Sequence, residues 1–354
     1  MSSIPQPIAE PKEPQFERSQ NVVMGKQDFT SVLLRAIGGE LYKIWRRPLS
    51  KILLLIGIIF VILGFAVISI GALISASSPV ESFLPPSCGS SNSVQTPCLN
   101  HLPTKQDLAN AEQAKQQEVR AAAAALYLPG SLSTAVNILN FIGVILLIIL
   151  AGTIVGGEYN VGSIRIMLTR GPTRAQFLLA KFGTMLVCSL FSLLVLGLIG
   201  IITGALLNLT IGVSVDFKFL TGPWILHSIL FLLIAVFSLL LYCGLAICLS
   251  TLGKATVAGV AGALIWWFVE RILSSALSFF GQTIRGPFGD FLKAVPDYLL
   301  FNNIDALLNN QQQYMSGGTA GTLTDIHAIL VLIAYLGCFI GIAWWINEAR
   351  DITN

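Results

Sequence analysis

The chain has 354 residues, of which 54% are hydrophobic and only 11% are charged. Soluble domains carry about 25% charged residues, so this composition excludes an ordinary soluble protein and indicates an integral membrane protein. The formal net charge of +3 is too small to indicate nucleic-acid binding, and the positions of the charges are more informative than their sum.

The first 51 residues divide into two segments. Residues 1–27 are rich in Pro, Gln, Glu and Ser, which predicts a disordered cytoplasmic tail. In residues 28–51, apolar side chains recur every three or four residues, at Phe29, Leu33, Ile37, Leu41 and Ile44. This pattern predicts an amphipathic helix on the inner membrane surface. The alternative, a helix packed on a soluble core, is disfavoured because the sequence offers no such core.

Six apolar runs in residues 52–346 are long enough to cross a bilayer. The predicted spans are residues 52–74, 134–156, 177–204, 224–249, 256–280 and 326–346. We therefore expect an all-α integral membrane protein with six transmembrane helices and an N-terminal interfacial helix. The predicted outer loops are residues 75–133, 205–223 and 281–325, the first of them large, with a helix over Lys105 to Tyr127. Residues 157–176 are predicted as a cytoplasmic loop and residues 347–354 as a cytoplasmic tail.

The lysines and arginines predict the orientation. With the N-terminus inside, fourteen of the 21 fall in inner segments and six in outer segments. This bias follows the positive-inside rule, so both termini are expected in the cytoplasm of a multi-pass protein of the cell membrane.

Within the predicted spans, three pairs of glycines have the GxxxG spacing that lets membrane helices approach closely. They are Gly152 and Gly156, Gly200 and Gly204, and Gly337 and Gly341. These pairs favour a packed bundle without identifying a particular interface.

Two cysteines, Cys88 and Cys98, lie in the first outer loop. Outside the cell they can form a disulfide, although two free thiols are an equally open interpretation. Only His101 lies near them, so we expect no metal site.

Glu270 and Arg271 are adjacent charged residues within the fifth predicted span, past its middle, and charged residues at such depth are candidates for function. Adjacent residues diverge by about 100° on a helix, so these two are not expected to pair only with each other. Either they reach the outer interface, or they pair across helices or a subunit interface. The sequence has no HExxH, GxSxG or P-loop motif, which disfavours an intramembrane enzyme and predicts no ATPase in this chain.

A charged stretch separates the second and third spans. It reads Glu-Tyr-x-x-Gly-Ser-x-Arg and then Arg-Gly-Pro-x-Arg, with a lysine in the next helix, and its residues are Glu158, Tyr159, Gly162, Ser163, Arg165, Arg170, Arg174 and Lys181. Thr173 and Gln176 form a capping-box pattern that predicts a helix start. The motif and the topology together resemble the ABC-2 type transporter permeases, with Ser163 in place of the usual threonine.

The resemblance implies a function for this stretch. Glu158 to Leu168 is similar to the coupling helix that docks on a separate ATPase subunit, which binds the ATP and Mg²⁺, so no cofactor is expected in this chain. Glu158 would meet a basic residue of the ATPase, and Arg165 and Arg170 acidic ones. The permease would act as a dimer with itself or a related chain, and as an exporter. A non-transporting scaffold or sensor that binds a ligand through residues 75–133 is the alternative.

Overall fold

The computed structural model describes residues 29–84, 103–162, 173–213, 217–316, 321 and 323–349. These residues form helices joined by short turns, with no strand among them. The ten helices that we number are α1 (Phe29–Arg46), α2 (Pro48–Ser77), α3 (Lys105–Ala123), α4 (Gly130–Val161), α5 (Arg174–Ile211), α6 (Gly222–Gly253), α7 (Thr256–Thr283), α8 (Pro287–Ala294), α9 (Leu300–Ser316) and α10 (Asp325–Ala349).

Six of these helices are long and apolar enough to cross a membrane: α2, α4, α5, α6, α7 and α10. At about 1.5 Å per residue, even the 25 residues of α10, the shortest of the six, exceed the roughly 30 Å hydrocarbon layer. The prediction of six helices that are able to span a membrane is therefore confirmed. Each helix contains its predicted span and extends beyond it by up to seven residues at an end.

Helices α4 and α6 form the centre of the bundle. In their most apolar windows 56% and 61% of the residues are buried, against 22–28% in the other four spanning helices. Helix α4 packs on both α6 and α7, α2 packs on α5, and α10 packs on α6. The outer helices present most of their aliphatic side chains to the surroundings, as expected for faces that contact lipid.

Glycines set the closest helix contacts. A Cβ atom on Gly156 would lie 2.4 Å from the Cα of Thr256, and one on Gly204 would lie 2.6 Å from the carbonyl oxygen of Leu126. Gly337 and Gly341 have no such neighbour within 4 Å. Two of the three GxxxG pairs therefore lie at close helix contacts, and the third faces open space.

The predicted outer loop 281–325 contains two helices that the sequence analysis did not identify. It contains α8, which packs on α7, and α9, which packs on α6 and α10. Helix α9 buries an apolar stripe, Leu300, Ile304, Leu307, Leu308 and Met315, at the spacing of a helix face. The many Asn and Gln residues between these positions concealed the stripe in the composition.

Helix α3 forms within the first outer loop, as predicted. Thr104 caps it in a capping box with Asp107, and the helix packs on α2. Residues 85–102 of that loop, which include Cys88 and Cys98, lie outside the described residues, so the two interpretations of these cysteines, a disulfide or two free thiols, both stay open predictions.

Candidate functional site

Helix α4 extends beyond the predicted end of its span and includes the first residues of the charged motif. It continues to Val161, so Glu158 and Tyr159 belong to its last turns and not to a separate loop helix. Gly162 ends the helix with φ +71°, a left-handed conformation that glycine adopts without a Cβ clash. The motif thus begins as a well-defined helix terminus.

Helix α5 begins on the far side of the loop with the predicted capping box. The Thr173 side chain accepts a hydrogen bond from the Gln176 backbone N–H, and the Gln176 side chain accepts one from the Thr173 N–H. The Arg174 guanidinium donates to the backbone carbonyl of Glu348 at 3.0 Å, which ties the start of α5 to the end of α10. Both ends of the loop are therefore held by the bundle.

Four charged side chains join α1, α4 and α5 in an alternating ring, which we call the quartet: Glu40, Lys43, Glu158 and Lys181. The Lys181 ammonium lies 2.8 Å from Glu40 and 2.7 Å from Glu158. The Lys43 ammonium lies 2.6 Å from Glu40 and 3.1 Å from Glu158. Each carboxylate bridges both ammonium groups with its two oxygens, and the formal charges of the four side chains cancel.

The quartet is largely removed from solvent. Lys181 is 1% exposed, while Glu40 and Glu158 are 5% and 6% exposed. The Lys43 side chain, 39% exposed, forms the outer edge of the ring. Buried charges are tolerated only when they are paired, and here each charge has two opposite partners.

The pKa values of the two α1 members reflect this pairing. Burial by itself would raise the pKa of Glu40, but the Lys181 and Lys43 ammonium groups outweigh burial and lower it. Burial would likewise lower the pKa of Lys43, and the two carboxylates reverse the shift and raise it. Both groups are therefore charged at neutral pH.

The position of Glu158 corrects one expectation. Because its carboxylate is buried and paired with Lys43 and Lys181 of its own chain, it is not presented to a basic residue of another protein. Glu158 instead fixes the end of α4 against α1 and α5. Ser163, Arg165 and Arg170 lie outside the described residues, so their predicted contacts stay predictions.

Glu40 is not among the site residues that the sequence predicted, and the predicted surface helix was assigned no charged contact with the rest of the chain. A signal existed, since Glu40 follows Ile37 and precedes Ile44 on the apolar face, where an unpaired carboxylate would be costly. The structure shows that this face of α1 contacts protein, with Glu40 and Ile44 buried.

The intramembrane pair Glu270–Arg271 lies at a second contact between helices. Glu270 is 4% exposed and accepts a hydrogen bond from the Phe301 backbone N–H at 3.2 Å, at the first turn of α9. A carboxylate at a helix N-terminus satisfies free backbone N–H groups and interacts favourably with the helix dipole. The sequence left two alternatives, a side chain that reaches the outer interface or one that pairs across helices. Glu270 pairs across helices, and its partner is a backbone N–H group.

The guanidinium group of Arg271 lies among aromatic rings. Its guanidinium carbon is 4.2 Å from the ring centre of Phe301, 4.5 Å from that of Trp267 and 5.4 Å from that of Phe141. Such cation–π contacts stabilise a cation that has little access to water. Glu270 and Arg271 together connect α7, α4 and the start of α9.

In the described part of the chain, no group of three His, Cys, Asp or Glu side chains is arranged to hold a metal ion.

The model of one protein family, described as a protein of unknown function (DUF2705), matches residues 122–353. The match spans more than half of the chain and includes all but the first of the six spanning helices. The chain therefore belongs to this family. No protein with a curated description matches it.

Proposed function

We propose that this member of the DUF2705 family is the permease subunit of an ATP-driven, ABC-2 type exporter. In this proposal, a separate ATPase subunit docks on residues 157–176, and both termini of the permease lie in the cytoplasm of the cell. Two permease chains, identical or related, form the transport path.

The quartet is the observation that carries the proposal. A coupling element has to transmit force, so its two ends must be fixed to the helices that move. Glu158 fixes the end of α4 and Lys181 fixes the start of α5, and both are ion-paired to α1. An ordinary polar loop needs only a turn between two helices, and it needs no buried ionic connection to a third.

The packing provides a route from this loop to the rest of the bundle. Helix α4 lies at the centre and contacts α6 and α7, while α1 leads through Arg47 directly into α2. A displacement of the loop would therefore move α1, α4 and α5 together and shift the central helices. Such rigid-body motion of packed helices is a common basis for switching between two states.

Glu270 connects this route to the opposite side of the molecule. It lies thirteen residues before the end of α7, about 20 Å at 1.5 Å per residue, and it caps the helix that follows. A shift of α7 against α4 would therefore reach α9 directly. We propose that α9 forms part of the outer boundary of the transport path.

The test is purification of the tagged chain from its native membranes, followed by an ATPase assay. We expect a P-loop ATPase to co-purify with the wild type. The double variant Arg165→Ala/Arg170→Ala should lose or uncouple it, because both changes remove cations from the docking loop. Lys254→Gln is the matched control, since Lys254 is an exposed cation in the turn between α6 and α7. Glu158→Ala is unsuitable, because it would disrupt the quartet itself.

The two functional interpretations give different results in this experiment. If no ATPase accompanies the wild type and the double variant behaves like it, the docking proposal is wrong and the scaffold or sensor interpretation is favoured. In that case, deletion of residues 85–102 should abolish ligand binding, since the scaffold or sensor interpretation places the ligand site in the first outer loop.

A further inference from the structure

An apolar cavity of about 460 Å³ lies between α1, α2, α4 and α5. Leu41 and Ile44 line it from α1, Leu54 from α2, Leu147 from α4 and Leu196 from α5. It occupies the region where α1 meets the first turns of α2. The cavity is separate from the contacts that fix the docking loop.

The cavity opens on the outer surface of the bundle. Trp45, Val187 and Phe191 belong to its lining and are 68%, 41% and 47% exposed. These side chains lie where α1 ends and on a face of α5 that is directed towards lipid. A lipid molecule can therefore reach the cavity from the membrane without any opening of the bundle.

Water is a poor occupant of this cavity. Of its sixteen lining residues, only Ser50, Lys51 and Ser192 carry a hydroxyl group or a charge. The Ser50 hydroxyl already donates to the Arg47 carbonyl at 2.9 Å, and the Ser192 hydroxyl donates to the Ser189 carbonyl at 3.0 Å. A buried water needs two to four polar partners, which this lining does not supply.

Lys51 supplies the one positive charge of the lining. It is exposed, it lies in the first turn of α2, and it forms no ion pair with any residue of the described ranges. Trp45 stands on the same side, and tryptophan is enriched at the level of lipid headgroups. An apolar cavity with a cation at its mouth complements a lipid that has an acyl chain and an anionic headgroup.

We propose that this cavity binds an anionic phospholipid from the leaflet on the α1 side, with one acyl chain in the cavity and the phosphate at Lys51. The bound lipid fills the wedge between α1 and the spanning helices, and so supports the position of α1 that the quartet requires. This binding goes beyond the proposed transport function and needs no ATPase.

The test uses the purified full-length chain in detergent with two probes, dioleoylphosphatidylglycerol and dioleoylphosphatidylcholine. Native mass spectrometry measures how much of each lipid stays bound. We expect the wild type to retain one phosphatidylglycerol in preference to phosphatidylcholine. Lys51→Gln should lower that preference about fivefold, the effect of one basic residue near an anionic lipid. Lys254→Gln, a neutralised lysine outside the cavity, should leave it unchanged.

A second variant tests the cavity itself. Ser192→Phe fills the void and removes no buried apolar side chain, so it should lower the binding of both lipids. If it misfolds, the wild type still decides the question: a photoactivatable phosphatidylglycerol should crosslink to the lining segments of α1, α2 and α5. Equal retention of the two lipids, or crosslinks confined to other helices, would overturn the proposal. Loss of ATPase binding would leave the lipid result unaffected, so the two proposals fail separately.

Discussion

Replacing Lys181 by methionine is the sharpest test of the quartet. In the wild type, the Lys181 ammonium contacts two buried carboxylates at 2.8 and 2.7 Å. Each contact contributes about 6 kcal/mol of Coulomb energy at an effective dielectric constant of about 20. The cost of removing the ions from water, several kcal/mol for each, offsets most of this gain. The intact quartet therefore adds little net stability.

Removing one member has a much larger effect. Without Lys181, the buried carboxylates of Glu40 and Glu158 each lose an ammonium partner, and the partner that they still share, Lys43, has a side chain that is 39% exposed. Breaking a buried ion pair in this way costs about 3–5 kcal/mol, so we expect Lys181→Met to destabilise the protein by that amount.

The assay is unfolding of the purified protein by sodium dodecyl sulfate in mixed micelles, followed by circular dichroism. The matched control is Lys293→Met, because Lys293 is 51% exposed and pairs with Asp290 at 3.3 Å on the surface. Loss of this exposed ion pair should lower the free energy of unfolding by at most about 1 kcal/mol. Adding Glu158→Gln to Lys181→Met should recover part of the stability, because one of the two buried negative charges that Lys181 had balanced is then removed. Equal stability of the Lys181→Met and Lys293→Met proteins would refute this account of the quartet.

Three further changes provide additional tests, the first of them also in the quartet. The folded-state pKa of Glu40 lies below 4.5 and that of Lys43 above 10.5. Stability from Glu40 is therefore present above pH 4.5 and lost on further acidification, while that from Lys43 is present below pH 10.5 and lost at higher pH. The advantage of the wild type over Glu40→Gln should be constant from pH 5 to 10 and fall below about 4.5; a decline already at pH 6 would contradict this. Glu270→Ala should lower the free energy of unfolding by about 1–3 kcal/mol, because the Phe301 amide loses its buried acceptor, and hydrogen exchange at the first turn of α9 should become faster. Glu270→Gln keeps an acceptor oxygen, so it should lower the free energy of unfolding by less. Gly156→Ala should destabilise by about 1–3 kcal/mol, since its Cβ would meet the backbone of α7, and the control Gly337→Ala should be neutral in the same unfolding assay.

Much of the fold could be predicted because it depends on local patterns. Each of the six runs has about 20 or more predominantly apolar residues, which is the length that a membrane span requires, so hydropathy alone was enough to predict the spanning helices. Thr173 with Gln176 is a local capping signal, and the structure contains that cap. These features need no knowledge of which helices touch.

The parts that failed depend on contacts between distant segments. Residues Leu300 to Met315 read as a polar loop because their composition is dominated by Asn and Gln, and the buried stripe has meaning only against α6 and α10. Glu158 read as a surface residue because its partners lie 115 residues before it and 23 after it. A single sequence gives no indication that three helices meet at this carboxylate.

The same limit applied to the intramembrane charges. Their position in a span showed that they needed partners, and this physical requirement was correct. That the partner of Glu270 is a backbone amide at the start of α9 required knowledge of the helix that lies beside it.

Site-specific crosslinking from the docking loop tests the central claim most directly. A photoactivatable amino acid is placed at Ser163 or Arg170, with Lys254 as the control position, and crosslinks are formed in native membranes. The account predicts covalent attachment to a nucleotide-binding ATPase subunit from both loop positions and much less from position 254. Crosslinks only to the chain itself or to lipid, from all three positions alike, would contradict it.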